Sequence, residues 1–203
     1  VSAAENTTCL ENRAILALPL GGFFGRHFLY PEANPYPQAV QLAKEVGRPV
    51  KLIWSREEEF LRDPLRPMAV VKFRGGLDAD GMPVGLEAIS ATEGPTEGIY
   101  GHNPDSIDPL ALEGLTGKKY AIANRRIAQI YVKTPAMLAY WRSVGHSMND
   151  FFYESFFDEM ADAGEQDPFE LRLKLLDHSP RHKTLLQTVG DLSGGWKRGP
   201  FEA

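Results

Sequence analysis

The chain has 203 residues, 43% of them hydrophobic and 24% charged, with 22 lysines and arginines against 27 aspartates and glutamates for a net charge of −5. That is the composition of a globular protein rather than a disordered one, and at this length one or two domains bury a core without disulfides or structural metal. The acidic balance excludes unguided nucleic-acid binding, which needs a basic patch or stripe. Cys9 is the only cysteine, so an internal disulfide, a thiolate zinc cluster and an iron–sulfur cluster held by four cysteines of this chain are not expected. The longest apolar stretch, Ala14 to Leu20, is interrupted by Pro19 and falls far short of the ~20 residues that cross a bilayer. Val1 to Asn6 carry no initiating methionine, basic region or apolar core, so this end reads as the interior of a longer gene rather than a signal peptide, and no compartment follows from it.

Ala14 to Leu18 reads as a short buried strand that runs into Gly21-Gly22 and an aromatic, basic loop through Arg26. After Pro37, the apolar positions Ala39, Val40, Leu42, Ala43 and Val46 followed by Gly47 predict a helix stopped by glycine. Pro49 to Trp54 then reads as a second strand, parallel to the first across the helix. Ser55 is placed to cap a helical turn with Glu57, Glu58 and Glu59 near its positive end. Met68 to Leu77 and Val84 to Ala91, separated by Asp80-Gly81, predict an antiparallel hairpin. Residues 93–119 are rich in glycine, proline, asparagine and aspartate and lack periodicity, the mark of a long irregular loop that is functional, mobile or an interface arm. Arg126 to Lys133 resumes strand character, and Pro135 to Trp141 reads as extended. Ser147 is placed to cap a helix with Phe152, Phe156 and Met160 on its inner face. Asp167-Pro168-Phe169-Glu170 opens another, with Phe169, Leu173 and Leu176 on one side. Leu185, Leu186 and Val189 suggest one or two further helical turns. The fold class expected is α+β: a mixed sheet with helices packed mainly on one face, and an irregular loop at 93–119.

None of the five histidines falls in a zinc-gathering spacing. His178 and His182 are four apart, but Pro180 between them argues against a shared helical face. Ser143 stands two before Gly145, yet Trp141 occupies the position where a nucleophile elbow needs glycine. Two segments remain. Gly21-Gly22-Phe23-Phe24-Gly25-Arg26 lies between a strand and a helix, where α/β units offer backbone amides to a ligand; a tight turn whose phenylalanines plug the core is the alternative. Trp141-Arg142-Ser143-Val144-Gly145-His146-Ser147 sets an arginine and a glycine before a helix N-terminus, where an anion is favoured; an arginine paired with a carboxylate is the alternative.

Together with Gly47 to Glu58, Phe151-Phe152, Glu154-Ser155, Asp167-Pro168 and Leu171-Arg172-Leu173, these segments occur in an order that resembles the molybdopterin-binding large subunit of the xanthine oxidase and aldehyde oxidase family, nearest the branch that holds the isoquinoline 1-oxidoreductase beta subunit. The resemblance runs from about Ala14 to Trp196. It implies a molybdenum centre on a pyranopterin, usually the cytosine dinucleotide form in bacteria, that hydroxylates aldehydes or N-heterocycles with water as oxygen source. It also implies that Gly22, Phe24 and Gly25 lie against the cofactor, that Arg142 and Gly145 add further contacts, that Val144 stands near the substrate, and that Phe24 and Arg142 converge on one anion-friendly wall. The cofactor's anionic character suits amides and a guanidinium.

In such a family the general base comes late in a much longer subunit, and iron–sulfur clusters reside in a partner subunit. The resemblance therefore implies that residues 1–203 are part of one molybdopterin-binding domain, inactive alone. Within it, 1–140 is the strand-rich portion, 141–190 the helical portion and 191–203 a flexible tail. Its implied partners are the iron–sulfur small subunit and the remainder of the large subunit. A severed domain exposes apolar surface, so self-association is also expected. Phe23 stands where the family pattern has a third glycine, which keeps a second reading open: a non-catalytic binding or dimerising module that retains the fold without cofactor.

Overall fold

The computed structural model describes residues 35–196. The alternation of side chains in one central strand organises the rest. In β2 (Pro83–Thr92), Leu86, Ala88, Ser90 and Thr92 are buried while the residues between them are partly exposed, the period of two that a half-covered strand imposes. β1 (Ala69–Leu77) pairs with it antiparallel, Val71 opposite Ser90 and Phe73 opposite Ala88. Between the two, Oδ1 of Asp78 accepts from the N–H groups of Asp80 (3.0 Å) and Met82 (2.9 Å), and Gly81 takes a φ of +75°, a conformation that glycine adopts without a Cβ penalty. The sequence-predicted hairpin is thus present. β3 (Asn124–Tyr131) lies on the other side of β2, parallel to it, completing a mixed sheet of order β1-β2-β3.

Six α-helices accompany this sheet among the described residues: α1 (Pro35–Val46), α2 (Arg56–Arg62), α3 (Pro95–Tyr100), α4 (His146–Ala163), α5 (Pro168–Leu175) and α6 (Pro180–Leu192). The α+β class and the single covered sheet face agree with expectation. α4 lays Tyr153, Phe157, Met160 and Ala161 against the face carrying Leu86 and Ala88; Phe156 stacks on Phe73 with ring centres 4.8 Å apart. α5 adds Leu171 and Leu175 to the same core. On the opposite sheet face Val70 is 75% and Ile130 54% exposed.

Several local expectations are corrected. Pro49 to Trp54 forms no strand: it finds no sheet partner among the described residues, and its expected partner, Ala14 to Leu18, lies outside them. The cap of α4 is Gly145 rather than Ser147, because Ser147 Oγ donates back to the Arg142 carbonyl at 3.2 Å. The inward face of α4 is Asn149, Tyr153, Phe157 and Met160, so Phe152 and Phe156 flank the buried stripe instead of forming it. On α5 the buried residues are Leu171 and Leu175 rather than Phe169 and Leu173; Phe169 packs instead against Gly190 and stacks on Trp196 at 5.7 Å. α6 runs for 13 residues, longer than one or two turns.

The 93–119 segment follows an irregular path, yet it carries α3 and a 3-10 turn at Pro109–Ala111 and places Leu112 and Leu115 in the core. Its polar residues go inside as well. Glu93, Glu97 and Asp108 are 1%, 5% and 3% exposed, and each is held by hydrogen bonds. Asp108 accepts from the backbone N–H groups of Thr96 (2.8 Å), Glu97 (3.2 Å) and Leu110 (3.0 Å). Glu97 accepts from Gly94 N–H at 2.7 Å and from Gln129 Nε2 at 2.8 Å. Buried carboxylates met by donors on this scale knit a loop into a fixed scaffold.

Candidate functional site

The segment 141–146 is held by a strap formed from Pro64, Leu65 and Arg66. Leu65 N–H donates to the Met137 carbonyl at 2.8 Å, and Ala139 N–H donates to the Leu65 carbonyl at 3.1 Å. Trp141 Nε1 donates to the Pro64 carbonyl at 2.8 Å. Arg66 closes the strap: Nη2 donates to the Arg142 carbonyl and Nη1 to the Val144 carbonyl, each at 3.0 Å. The turn itself is tight, with Val144 N–H on the Trp141 carbonyl and His146 N–H on the Ser143 carbonyl, both 2.8 Å.

Two consecutive non-glycine residues in this turn have positive φ, Ser143 at +69° and Val144 at +44°. For a β-branched residue this is a true outlier. Such conformations cost on the order of 1–3 kcal/mol each and persist only where the surroundings enforce them. The strap is that enforcement.

The sequence-predicted residues of this segment sit as follows. The Arg142 side chain is exposed beside the N-terminus of α4, Val144 is half-buried and Gly145 is buried. Gly145 is explained by packing: a Cβ there would stand 2.5 Å from the Leu110 carbonyl oxygen and 3.0 Å from that of Glu113. Gly22, Phe24 and Gly25 lie outside the described residues, and with them the expected approach of Phe24 to Arg142. Sequence reasoning misses Arg66. It stands 76 and 78 residues from its two acceptors, and its only local signal is the pair of prolines, Pro64 and Pro67, both buried, that stiffen the chain on either side.

Next to the turn, charges are paired along α4. Asp150 receives Lys118 Nζ at 2.8 Å and His146 Nδ1 at 3.0 Å. Burial pushes the Asp150 carboxyl up, but Lys118 and then His146 outweigh it and hold its pKa below the usual value. Lys118 also reaches Glu154 at 3.0 Å. Arg172 of α5 binds Glu154 at 3.0 Å and Asp158 at 2.6 Å, so the network ties the two helices together. These acids are committed to cations, and the positive features of the turn are the Arg142 guanidinium and the start of an 18-residue helix. That donor set suits an anionic group. Among the described residues, no group of three or more histidines, cysteines, aspartates or glutamates is gathered to hold a metal ion, and no helix is long and apolar enough to cross a membrane.

The profile of the molybdopterin cofactor-binding domain matches residues 12–176. The beta subunit of isoquinoline 1-oxidoreductase from Brevundimonas diminuta is 28% identical over 198 residues, covering 95% of this chain and 25% of that protein. A nicotinate dehydrogenase subunit from Pseudomonas putida is 28% identical over 192 residues, 90% of this chain and 16% of that one. Among solved structures, the aldehyde oxidoreductase of Desulfovibrio desulfuricans superposes with a TM-score of 0.59 at 26% identity, over 76% of this chain and 16% of that chain. The chain thus spans a quarter or less of the length of these relatives.

Proposed function

Because the chain belongs to the molybdopterin cofactor-binding domain family, we propose that it supplies part of the cofactor cradle of a molybdenum hydroxylase that oxidises aldehydes or N-heterocycles. The observation that carries this reading is the turn at 141–145: a strained backbone, held by Arg66, that sets an exposed arginine, Arg142, just before the N-terminus of an 18-residue helix. When bound, the cofactor supplies the redox chemistry. The chain's own residues bind and orient it, Arg142 by charge-assisted hydrogen bonds to its anionic edge and Val144 by shaping the apolar side of the substrate space. Gly22, Phe24 and Gly25 complete the wall through backbone contacts, and Gly145 lets the turn sit close against the Leu110 carbonyl.

In this reading the cofactor is the cytosine dinucleotide form, the general base comes from a further part of the large subunit, and the iron–sulfur clusters sit in a small-subunit partner. The 203 residues alone are inactive. The test is Arg142→Ala in the assembled enzyme, with molybdenum content and turnover measured together. A fall of at least about tenfold in either, equivalent to about 1.4 kcal/mol, is expected; unchanged loading and rate would sink the proposal.

Exposed apolar side chains at the sheet favour a second reading. Met68, Val70 and Ile130, 74%, 75% and 54% exposed, give the chain an apolar surface of the kind that mediates association. In that reading the domain keeps its fold without cofactor and dimerises. A cofactor-free dimer in light scattering, in an organism whose assembled enzyme does not contain the chain, would favour it over the first.

A further inference from the structure

Arg66 spans two acceptors at once, and both belong to the turn that carries Arg142 and Val144. Its Nη1 and Nη2 each stand 3.0 Å from a carbonyl oxygen, one of Val144 and one of Arg142. A planar guanidinium offers two donors in a fixed fork, so two carbonyls that meet it are fixed relative to one another as well as to the cation. An ammonium cannot impose that geometry. Between these two carbonyls lies Ser143 at a φ of +69°, followed by Val144 at +44°. A released chain leaves such angles for its ordinary minima. Arg66 itself has little freedom: Leu65 is bridged to the 137–139 backbone, the Pro64 carbonyl takes Trp141 Nε1, and Pro67 is buried. The strap acts as a rigid backing plate, and its last member grips the turn through two of its carbonyls.

We propose that Arg66 is the positioning residue of this site: its guanidinium clamps the Arg142 and Val144 carbonyls, and so fixes where the Arg142 guanidinium meets the cofactor and where the Val144 side chain meets the substrate. The inference rests on the cofactor reading above. It adds to that reading a residue distant in sequence that contacts neither cofactor nor substrate and acts through the backbone of the two that do.

The experiment uses the assembled enzyme with Arg66→Ala, Arg66→Lys and, as reference, Arg142→Ala. Hydrogen exchange gives a readout independent of activity: in Arg66→Ala, amides of residues 141–147 are expected to exchange at least tenfold faster while those of β1 and β2 keep their protection. Turnover per bound molybdenum should fall at least tenfold, and added guanidinium ion should restore a third or more of it, which a merely structural loss would not permit. Arg66→Lys keeps a cation but not the fork; it should fall at least threefold without guanidinium rescue, and it stands in if the alanine variant does not fold. Unchanged exchange at 141–147, or a rise spread evenly over β1 and β2, overturns the proposal. Impaired Arg142→Ala beside unaffected Arg66 variants overturns the positioning role alone. Wild-type loading and rate in Arg142→Ala overturns the cofactor reading, and with it the function assigned to the clamp.

Discussion

Asn149 donates from Nδ2 to the carbonyl oxygen of Ala111 at 2.9 Å, and from the same nitrogen to that of Glu113 at 2.8 Å. It lies in the first turn of α4 and is fully buried, so one side-chain amide pins the irregular segment to the helix that follows the candidate turn. Two carbonyls that both need a donor also fix which end of the amide is nitrogen. Asn149→Ala leaves the buried Ala111 carbonyl and the part-buried Glu113 carbonyl without this donor, at about 1–3 kcal/mol each, offset in part by the loss of the buried Oδ1, which has no partner among the described residues. The expected loss in urea unfolding is roughly 2–4 kcal/mol, and a loss below about 1 kcal/mol would show that the clamp does not hold the segment.

Gly145→Ala probes the other attachment of that turn. The backbone φ of −67° accepts any residue, so the effect is purely steric: the new methyl meets the Leu110 carbonyl at 2.5 Å and Glu113 Cβ at 3.2 Å. Both belong to the scaffold rather than to a mobile side-chain tip, so relief requires moving the turn. Overpacking of this kind costs about 1–3 kcal/mol. In the assembled enzyme the same variant should lower turnover more than its loss of thermal stability explains. A variant with wild-type melting temperature and rate would contradict the close packing.

What can be read from the sequence follows from the range of each interaction. The Asp80-Gly81 hairpin and the Asp167 cap, whose side chain accepts from Phe169 and Glu170 N–H groups at 2.9 and 3.0 Å, are set by neighbours within four residues, and both are present. The inner face of α4 is displaced by one position from the apolar period because its first buried member is Asn149, a polar residue that such a period passes over. The burial of Glu93, Glu97 and Asp108 is hidden for the same reason: charge argues for solvent until the donors that meet it, which come from 129–134 as well as 94–110, are known. Arg142, Val144 and Gly145 are recognisable as parts of one turn because they fall within four consecutive residues. Arg66 is not, since nothing in the order of residues indicates that a guanidinium more than seventy positions earlier closes on them.

Tyr153 offers a variant expected to stabilise. It is 1% exposed, and its hydroxyl has no hydrogen-bond partner among the described residues; burial, ahead of the nearby charges, pushes its pKa up to about 12. The ring is well used, edge-on to Phe73 at 6.5 Å and beneath Lys118 Nζ at 4.9 Å. Tyr153→Phe keeps those contacts and removes an unpaired polar atom, so unfolding free energy should be unchanged or rise by up to about 1–2 kcal/mol. A fall of more than about 1 kcal/mol would mean that a buried water or another acceptor serves the hydroxyl.

Glu93 links stability to pH. Burial raises its pKa, but Lys133 Nζ at 2.7 Å and Thr134 N–H at 2.6 Å outweigh burial and hold the carboxyl below the ordinary glutamate value. A carboxyl with a depressed folded-state pKa is protonated more readily when unfolded. Its contribution is therefore complete above the unfolded value of about 4.3 and is lost as pH falls through the folded value. Glu93→Gln should be less stable than wild type by about 1–2 kcal/mol near neutral pH, the difference between charged and neutral hydrogen bonds at this site, and the gap should narrow as the pH is lowered toward ~3. The Asp150 carboxyl, also held below its usual value, keeps part of the acid sensitivity in the variant. Urea unfolding of both proteins across that range decides the matter: a gap that stays constant with pH would show that the folded state does not favour the Glu93 anion.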